Sequence, residues 1–244
     1  MRHYTLVKEG IALAFLLILP LAAKGTILDI TDDIQTYSSL SDTTVNMSGR
    51  SELHITNGTN PILGCQINLN SSDSWFFLEQ IKPSVVASTY LSQVQVNSSP
   101  AVLNSNVRVV QYVSGAVVIP HSPSYMPLQI YSGYFFGGSS QSLGLYTYYK
   151  GSASLGELNN TVSSFKLKRG YMVTFAQNED GTGISRVYIA QDEDINIEVI
   201  GEELDNSVSF IRVFPWRWTN KKGWAGGETN PSIHTAINSA WFYD

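Results

Sequence analysis

The chain has 244 residues, a net charge of −5 and only 14% charged side chains, so it presents no basic face and excludes nucleic acid as a partner. Its single cysteine, Cys65, excludes an internal disulfide framework and leaves core burial, with bound metal as an additional source, to stabilise an exported protein. Cys65 itself reads as a buried small hydrophobe.

Residues 1–23 read as a secretory signal peptide. Arg2, His3 and Lys8 precede an apolar run over 11–23 that ends in small residues, the charged start and short core of an export signal. The run is too short for a comfortable membrane span. The absence of disulfides points to a bacterial exporter, with the mature protein periplasmic or extracellular.

Residues 24–121 are poor in charge and rich in Ser, Asn, Thr and Val, without a sustained helical period. Val45-Asn46-Met47-Ser48, with Leu53 and Ile55, is matched 22 positions later by Ile67-Asn68-Leu69-Asn70, with Trp75 and Phe77. Val94-Gln95-Val96-Asn97, with Val102, restarts the pattern 27 positions on, and 107–118 continue it loosely. Such spacing predicts a β-solenoid whose rungs cover one another, the alternative being a β-sandwich with coincidental spacing. Asp73 and Glu79 flank the strand of one coil and Glu52 lies one coil earlier; these carboxylates read as a solvated face, the alternative being an acidic pair across neighbouring coils. Pro120-His121-Ser122-Pro123-Ser124 marks a boundary, with His121 a linker residue.

Residues 125–215 form the second domain and hold a duplication, 128–165 and 172–210. Tyr131 pairs with Phe175, Gly138 with Gly183, Ser140 with Ser185 and Asn159 with Asp205, at offsets of 44 to 46. Ile130, Phe165, Phe175 and Val213 lie in alternating runs that read as half-buried strands. Gly138 and Gly183 fall where a folded-over hairpin needs positive φ. The loops Asn159-Asn160-Thr161-Val162-Ser163-Ser164 and Asp205-Asn206-Ser207-Val208-Ser209-Phe210 offer hard oxygen ligands of the kind calcium takes; the same residue types also build Asx turns. The segment 191–205 reads as a loop before the last strand.

The aromatic, the hairpin aromatic and the Gly-x-Ser of Tyr131, Phe136, Gly138 and Ser140, followed by Asn-Asn-x-x-Ser-Ser, resemble the βγ-crystallin Greek-key domains. The resemblance covers 128 to about 214. It implies an all-β chain with a double Greek-key sandwich, and two calcium sites. Each would take a side-chain oxygen from Asn159 and Asn160 or from Asp205 and Asn206, a carbonyl at Thr161 or Ser207, and a carbonyl from the hairpin near Tyr134 or Glu179. A hydroxyl from the other copy, Ser163 or Ser209, would complete each. The second copy departs from the pattern at Phe210, and at Asn178-Glu179-Asp180-Gly181 in place of the aromatic hairpin tip.

Residues 216–244 form an aromatic linker. Trp216, Trp218, Trp224 and Trp241 lie there beside Arg217, Lys221 and Lys222, and Trp216, Trp218 and Trp224 read either as a stacking platform for sugar rings or as packing at a domain junction. The run 210–224 and the closing Trp241-Phe242-Tyr243-Asp244 resemble the approach to the catalytic barrel in secreted bacterial glucan-cleaving glycoside hydrolases, which implies a polysaccharide partner such as a β-glucan and a barrel beyond this chain. No nucleophile elbow, zinc-protease helix, Cys-x-x-Cys or phosphate loop occurs in the sequence. The leading expectation is therefore a non-catalytic, calcium-stabilised, carbohydrate-associated accessory region of a secreted polysaccharide-degrading enzyme. A calcium-binding structural or adhesive surface protein without glycan specificity is the rival, and a complete β-helix hydrolase or lyase the third.

Overall fold

The computed structural model describes residues 25–145, 147–216, 218–219 and 234–237. The fold is all-β. Thr26–Thr31, Thr43–Ser48, Gln66–Leu69 and Val94–Val96 lie parallel in one sheet. Ile34–Tyr37, Glu52–Ile55 and Trp75–Leu78 lie parallel in a second, and Leu40–Ser41 pairs with Ile62–Leu63 on a short third side. The chain thus winds as a coil whose successive turns stack. Alternation turns Val45, Met47, Leu53 and Ile55 inward, and register places Ile30 on Met47, Met47 on Leu69 and Leu69 on Val96. Each such side chain, fully buried, contributes about 1.5–3 kcal/mol. On the outside a polar ladder follows the same register: Asn68 donates to Asn46 and Asn46 to Asp29, both at 2.8 Å.

The solenoid reading holds for these turns, with two corrections. The offset of 22 is right on the first side, where Val45 faces Ile67, but on the second side Glu52 faces Trp75 and Leu53 faces Phe76. One extra residue in the turn before Trp75 flips the strand. Phe76 and Leu78 fill the coil, and Trp75 and Phe77 face away from it in a separate cluster. The unbroken apolar run Trp75-Phe76-Phe77-Leu78 carries no alternation from which the sequence could fix its sides. Secondly, 107–118 are not another turn. Val107–Val113 and Gly115–Pro120 form an antiparallel hairpin that extends the second sheet from Trp75–Leu78. Gly115 sits so close to the chain that a Cβ there would lie 2.2 Å from the Leu78 carbonyl oxygen, which only glycine permits. The 27-residue spacing before Val94 also has a cause: a helical excursion over 83–93 turns Val86 and Leu91 into the coil.

Residues 128–215 build two further sheets. The first copy supplies Leu128–Tyr131, Ser140–Leu143, Tyr148–Lys150 and Ser164–Leu167; the second supplies Tyr171–Ala176, Ile184–Ala190, Ile195–Ile197 and Phe210–Pro215. Each copy keeps three strands in its own sheet and sends its third to the other. Ile195–Ile197 pairs with Ser164–Leu167, and Tyr148–Lys150 with Phe210–Pro215. That exchange makes a double Greek key closed around one core, with Phe165, Phe175 and Tyr188 in ring contact at 4.7 to 5.8 Å between centroids. The segment 191–205, expected as loop, holds the exchanged strand. Tyr171–Ala176 is buried throughout and Phe210–Pro215 nearly so, rather than alternating. Their outward residues Met172 and Phe214, with Val187 and Ile189, are covered by Trp216. Among the described residues no helix is long and apolar enough to cross a membrane.

Candidate metal centre

The two loops singled out in the sequence face each other across the pseudo-twofold. Asn160 and Asn206 both adopt left-handed backbone, φ 60 and 53, a conformation Asn tolerates best after Gly. The Asn160 N–H donates to the Val208 carbonyl at 2.9 Å, and the Asn206 N–H to the Val162 carbonyl at 3.2 Å. Side chains cross over as well. Ser209 donates its hydroxyl to Asn160 Oδ1 at 2.6 Å, and Ser163 reaches Asn206 Oδ1 at 3.5 Å. Thr161 and Ser207 turn their hydroxyls back onto the Glu157 and Glu203 carbonyls, at 2.8 and 3.2 Å, which ties each loop to its own copy.

The hairpins reach across as well, each to the other copy. Tyr134, in the first hairpin, donates its hydroxyl to Asp205 Oδ2 at 2.5 Å. That bond, with the charge of Asp205, raises the phenol pKa. Glu179, in the second, lies over Gly151, where a Cβ would come within 2.0 Å of its carboxylate; the Gly151 N–H donates to the Ser209 carbonyl at 2.9 Å. Tyr134, Asp205, Asn206 and Ser163 therefore belong to one assembly, and Asn160, Ser209 and Gly151, with Glu179 beside Gly151, to the other. Asp180 is occupied by its own turn, accepting from the Thr182 N–H at 2.9 Å and hydroxyl at 2.6 Å. The missing hydroxyl at Phe210 also has a counterpart: Ser164 ties the first hairpin, donating to the Gly133 carbonyl at 2.6 Å and accepting from the Phe136 N–H at 3.1 Å. The second hairpin is tied within itself, by Asn178 to Thr182 at 2.9 Å.

Two oxygens are left over. Asn159 Oδ1 and Asp205 Oδ1, at matching positions of the duplication, are buried without a hydrogen-bond partner. Buried acceptors are nearly always paired, and a pair of such exceptions in equivalent loops fits an oxygen-seeking cation. The donors nearby are amide, hydroxyl and carbonyl oxygens with few carboxylates, a set suited to calcium at low charge. Among the described residues no group of three His, Cys, Asp or Glu gathers to hold a softer metal.

A second charged cluster escaped the sequence reading. Glu52 and Glu79 are not a solvated face: His54 bridges them, with Nδ1 2.8 Å from Glu79 and Nε2 3.1 Å from Glu52, its ring stacked on Phe77 at 4.1 Å. Glu52 also pairs with Arg169, which sits in the turn between the two copies, donates to the Asp73 carbonyl at 2.5 Å and lies 3.9 Å over the Trp75 ring. Asp194 fixes that turn by accepting from the Arg169 N–H at 2.9 Å. In the opposite direction Arg108 of the coil lies 4.6 Å over the Tyr171 ring. His121, expected as a linker residue, is packed against Tyr125 and lies 3.4 Å from the Tyr171 hydroxyl. Arg50 adds an ion pair with Glu193. The Lys168-Arg169-Gly170 turn was the one available signal, but no pattern ties Arg169 to a carboxylate in another repeat. Trp216 is part of this junction, packed against both the Trp75–Phe77 and the Met172–Phe214 clusters. Trp218 lies in a short strand beside Tyr112–Val113, and Trp224 and Trp241 fall outside the described residues, as does the expected signal peptide.

No family model and no curated protein matches the chain. Among solved structures, a βγ-crystallin domain from Flavobacterium johnsoniae is 25% identical over 36% of this chain and 94% of that one, with a TM-score of 0.32. The N-terminal domain of protein S is 30% identical over 37% of this chain and 97% of that one, TM-score 0.32. A βγ-crystallin domain from Clostridium beijerinckii is 20% identical over 36% and 97%, TM-score 0.32. Solved βγ-crystallin domains are thus what a little over a third of this chain is similar to.

Proposed function

We propose that the loops at 159–163 and 205–209 bind calcium, and that the chain serves as a calcium-stabilised accessory module of an exported protein. The reading rests above all on the matched, unpartnered oxygens of Asn159 and Asp205. One site would draw on Asn159, Asn160, the Thr161 carbonyl, Ser209 and the Glu179 hairpin; the other on Asp205, Asn206, the Ser207 carbonyl, Ser163 and the Tyr134 hairpin. Bound calcium would supply the positive charge that these oxygens face, and its affinity for the folded chain would add to stability by mass action. Few carboxylates imply weak binding, on the order of 10⁻⁴–10⁻³ M as in extracellular modules. Titration calorimetry should register about two ions per chain, with a melting temperature that rises in millimolar calcium. An absence of heat together with an unmoved melting temperature would refute the reading.

The carbohydrate-associated form of this function rests on the aromatic tail, and a polysaccharide such as a β-glucan is the proposed partner. With the Trp216 ring packed between two apolar clusters, stacking on sugar would fall to Trp218 or Trp224. Retention on insoluble glucan that survives Trp→Ala changes at both would remove the tail from the binding role and favour a structural or adhesive module.

A further inference from the structure

Tyr134 holds Asp205 by a bond that its own hairpin does not need. Ties independent of the ring fix that hairpin: the Gly133 N–H donates to the Gly137 carbonyl and the Gly137 N–H to the Tyr134 carbonyl, both at 3.0 Å, and the Phe135 N–H reaches the Glu198 carbonyl at 2.9 Å. Ser164 adds its bonds to Gly133 and Phe136. Together they keep Phe135 and Phe136 in left-handed backbone, φ 53 and 62, a conformation that residues of this kind adopt only under such constraint. The Tyr134 ring is 49% exposed, and its hydroxyl extends from a backbone already set.

The receiving end is crowded. Asp205 Oδ2 accepts from the Tyr134 hydroxyl at 2.5 Å and from the Asn206 side-chain amide at 3.1 Å. A carboxylate oxygen has two lone-pair positions, so this one is full, whereas Oδ1 has no hydrogen-bond partner. With both donors in place the carboxylate offers a single oxygen, although calcium takes carboxylates through one oxygen or both. The Asn206 amide belongs to the next residue of the same loop. The phenol comes from the other copy, at a half-exposed position, and is the donor that can leave.

The first loop carries no such contact. Glu179, 45 positions after Tyr134, is a carboxylate that accepts rather than donates, and Asn159 Oδ1 receives no donor. A hydroxyl thus stands only over the loop whose first ligand is charged.

Resting on the calcium reading above, we propose that the Tyr134 hydroxyl is an internal competitor for the cation at Asp205. It bonds Oδ2 when no ion does, yields that oxygen when calcium binds, and so sets the calcium affinity of this loop. An internal competitor lowers apparent affinity by the fraction of chains in which its bond is broken, and a charge-assisted hydrogen bond corresponds to about tenfold.

Tyr134→Phe removes the hydroxyl and keeps the ring and the main-chain carbonyl. Calorimetric titration of the full chain with calcium should show one site tightening about tenfold in this variant. In an Asp205→Ala background the same change should leave the remaining calcium affinity where it was. In the wild type, calcium should also move the near-ultraviolet tyrosine absorption to shorter wavelength as the phenol leaves its acceptor, a shift absent from Tyr134→Phe. Should that variant fail to fold, the wild-type spectrum decides: a shift supports the competitor role and its absence overturns it. Calcium affinity that is unchanged or weaker in folded Tyr134→Phe, or a gain that persists without Asp205, would overturn the competitor role and leave the calcium loops standing. A chain that takes up no calcium with or without the hydroxyl would overturn both.

Discussion

In residues 26–96 each repeat lies along its neighbour, Val45 against Ile67 and Ile67 against Val94, whereas in residues 128–215 each repeat gives a strand away and takes one back. The two arrangements distribute stability differently. A stacked turn meets only the turns beside it, so its loss is felt locally. An exchanged strand makes each copy part of the other's sheet, so neither can close its core alone. The same exchange sets the first hairpin against the second loop, as Tyr134 with Asp205 shows, and the second hairpin against Gly151 of the first copy, whose N–H bonds the Ser209 carbonyl. A paired set of oxygen-rich sites is therefore a consequence of swapping, and a stack of coils has no equivalent.

The largest test of this contrast is in the cores. Phe165→Ala removes the ring that meets both Phe175 and Tyr188 and should cost about 3–5 kcal/mol. Hydrogen exchange should then show Leu128–Tyr131 and Tyr171–Ala176 losing protection together. Ile67→Ala, at the middle of the coil, is expected to cost about 2–5 kcal/mol with lost protection confined to the turns beside it. Protection that persists in the second copy of the Phe165 variant would mean that the exchange does not couple the copies.

A smaller effect should separate the two loops. Asp205 brings a formal charge and Asn159 does not, and ligand charge is one of the factors that tune calcium affinity. At a calcium concentration a hundred times the dissociation constant, a site stabilises the fold by about 2.7 kcal/mol. Asp205→Ala should forfeit more of that than Asn159→Ala, as read from melting temperatures with and without calcium. Equal losses, or the reverse order, would show that the geometry of the paired assemblies outweighs charge.

The smallest expected effect concerns the face where coil and Greek key meet. Burial opposes the charged form of His54, but its hydrogen bonds to Glu52 and Glu79 prevail and hold its pKa above 6.5. A histidine with a raised folded-state pKa contributes stability that is complete below about pH 6.5 and lost as pH rises through the folded value. His121 has the opposite sign. Its pKa of about 4 means that the unfolded chain takes up the proton first, so stability falls as pH drops from about 6.5 towards 4. The stability profile should therefore peak near pH 6.5, His54→Gln flattening its alkaline side and His121→Gln its acid side. Unchanged limbs in both variants would show that neither imidazole reports on the junction.

The sequence by itself determined the duplication, the positive-φ glycines at 138 and 183, the loops that carry the oxygens, and the stacking register of the first side of the coil. All of these are local patterns, set by backbone sterics or by an alternation that repeats within a few residues. Tertiary structure alone decided which side of Trp75–Leu78 faces the core, because four consecutive apolar residues fit either register and one added turn residue selects between them. It also decided that 107–120 closes the coil as a hairpin, and that 195–197 leaves its own copy for the other sheet. The encounter of Arg169 with Glu52 and Trp75, and of Arg108 with Tyr171, came from the same source. Charge and ring partners separated by a hundred residues leave no periodicity to read; the fold brings them together because two sheets with apolar outer faces must cover each other, and the cations on those faces are buried with them.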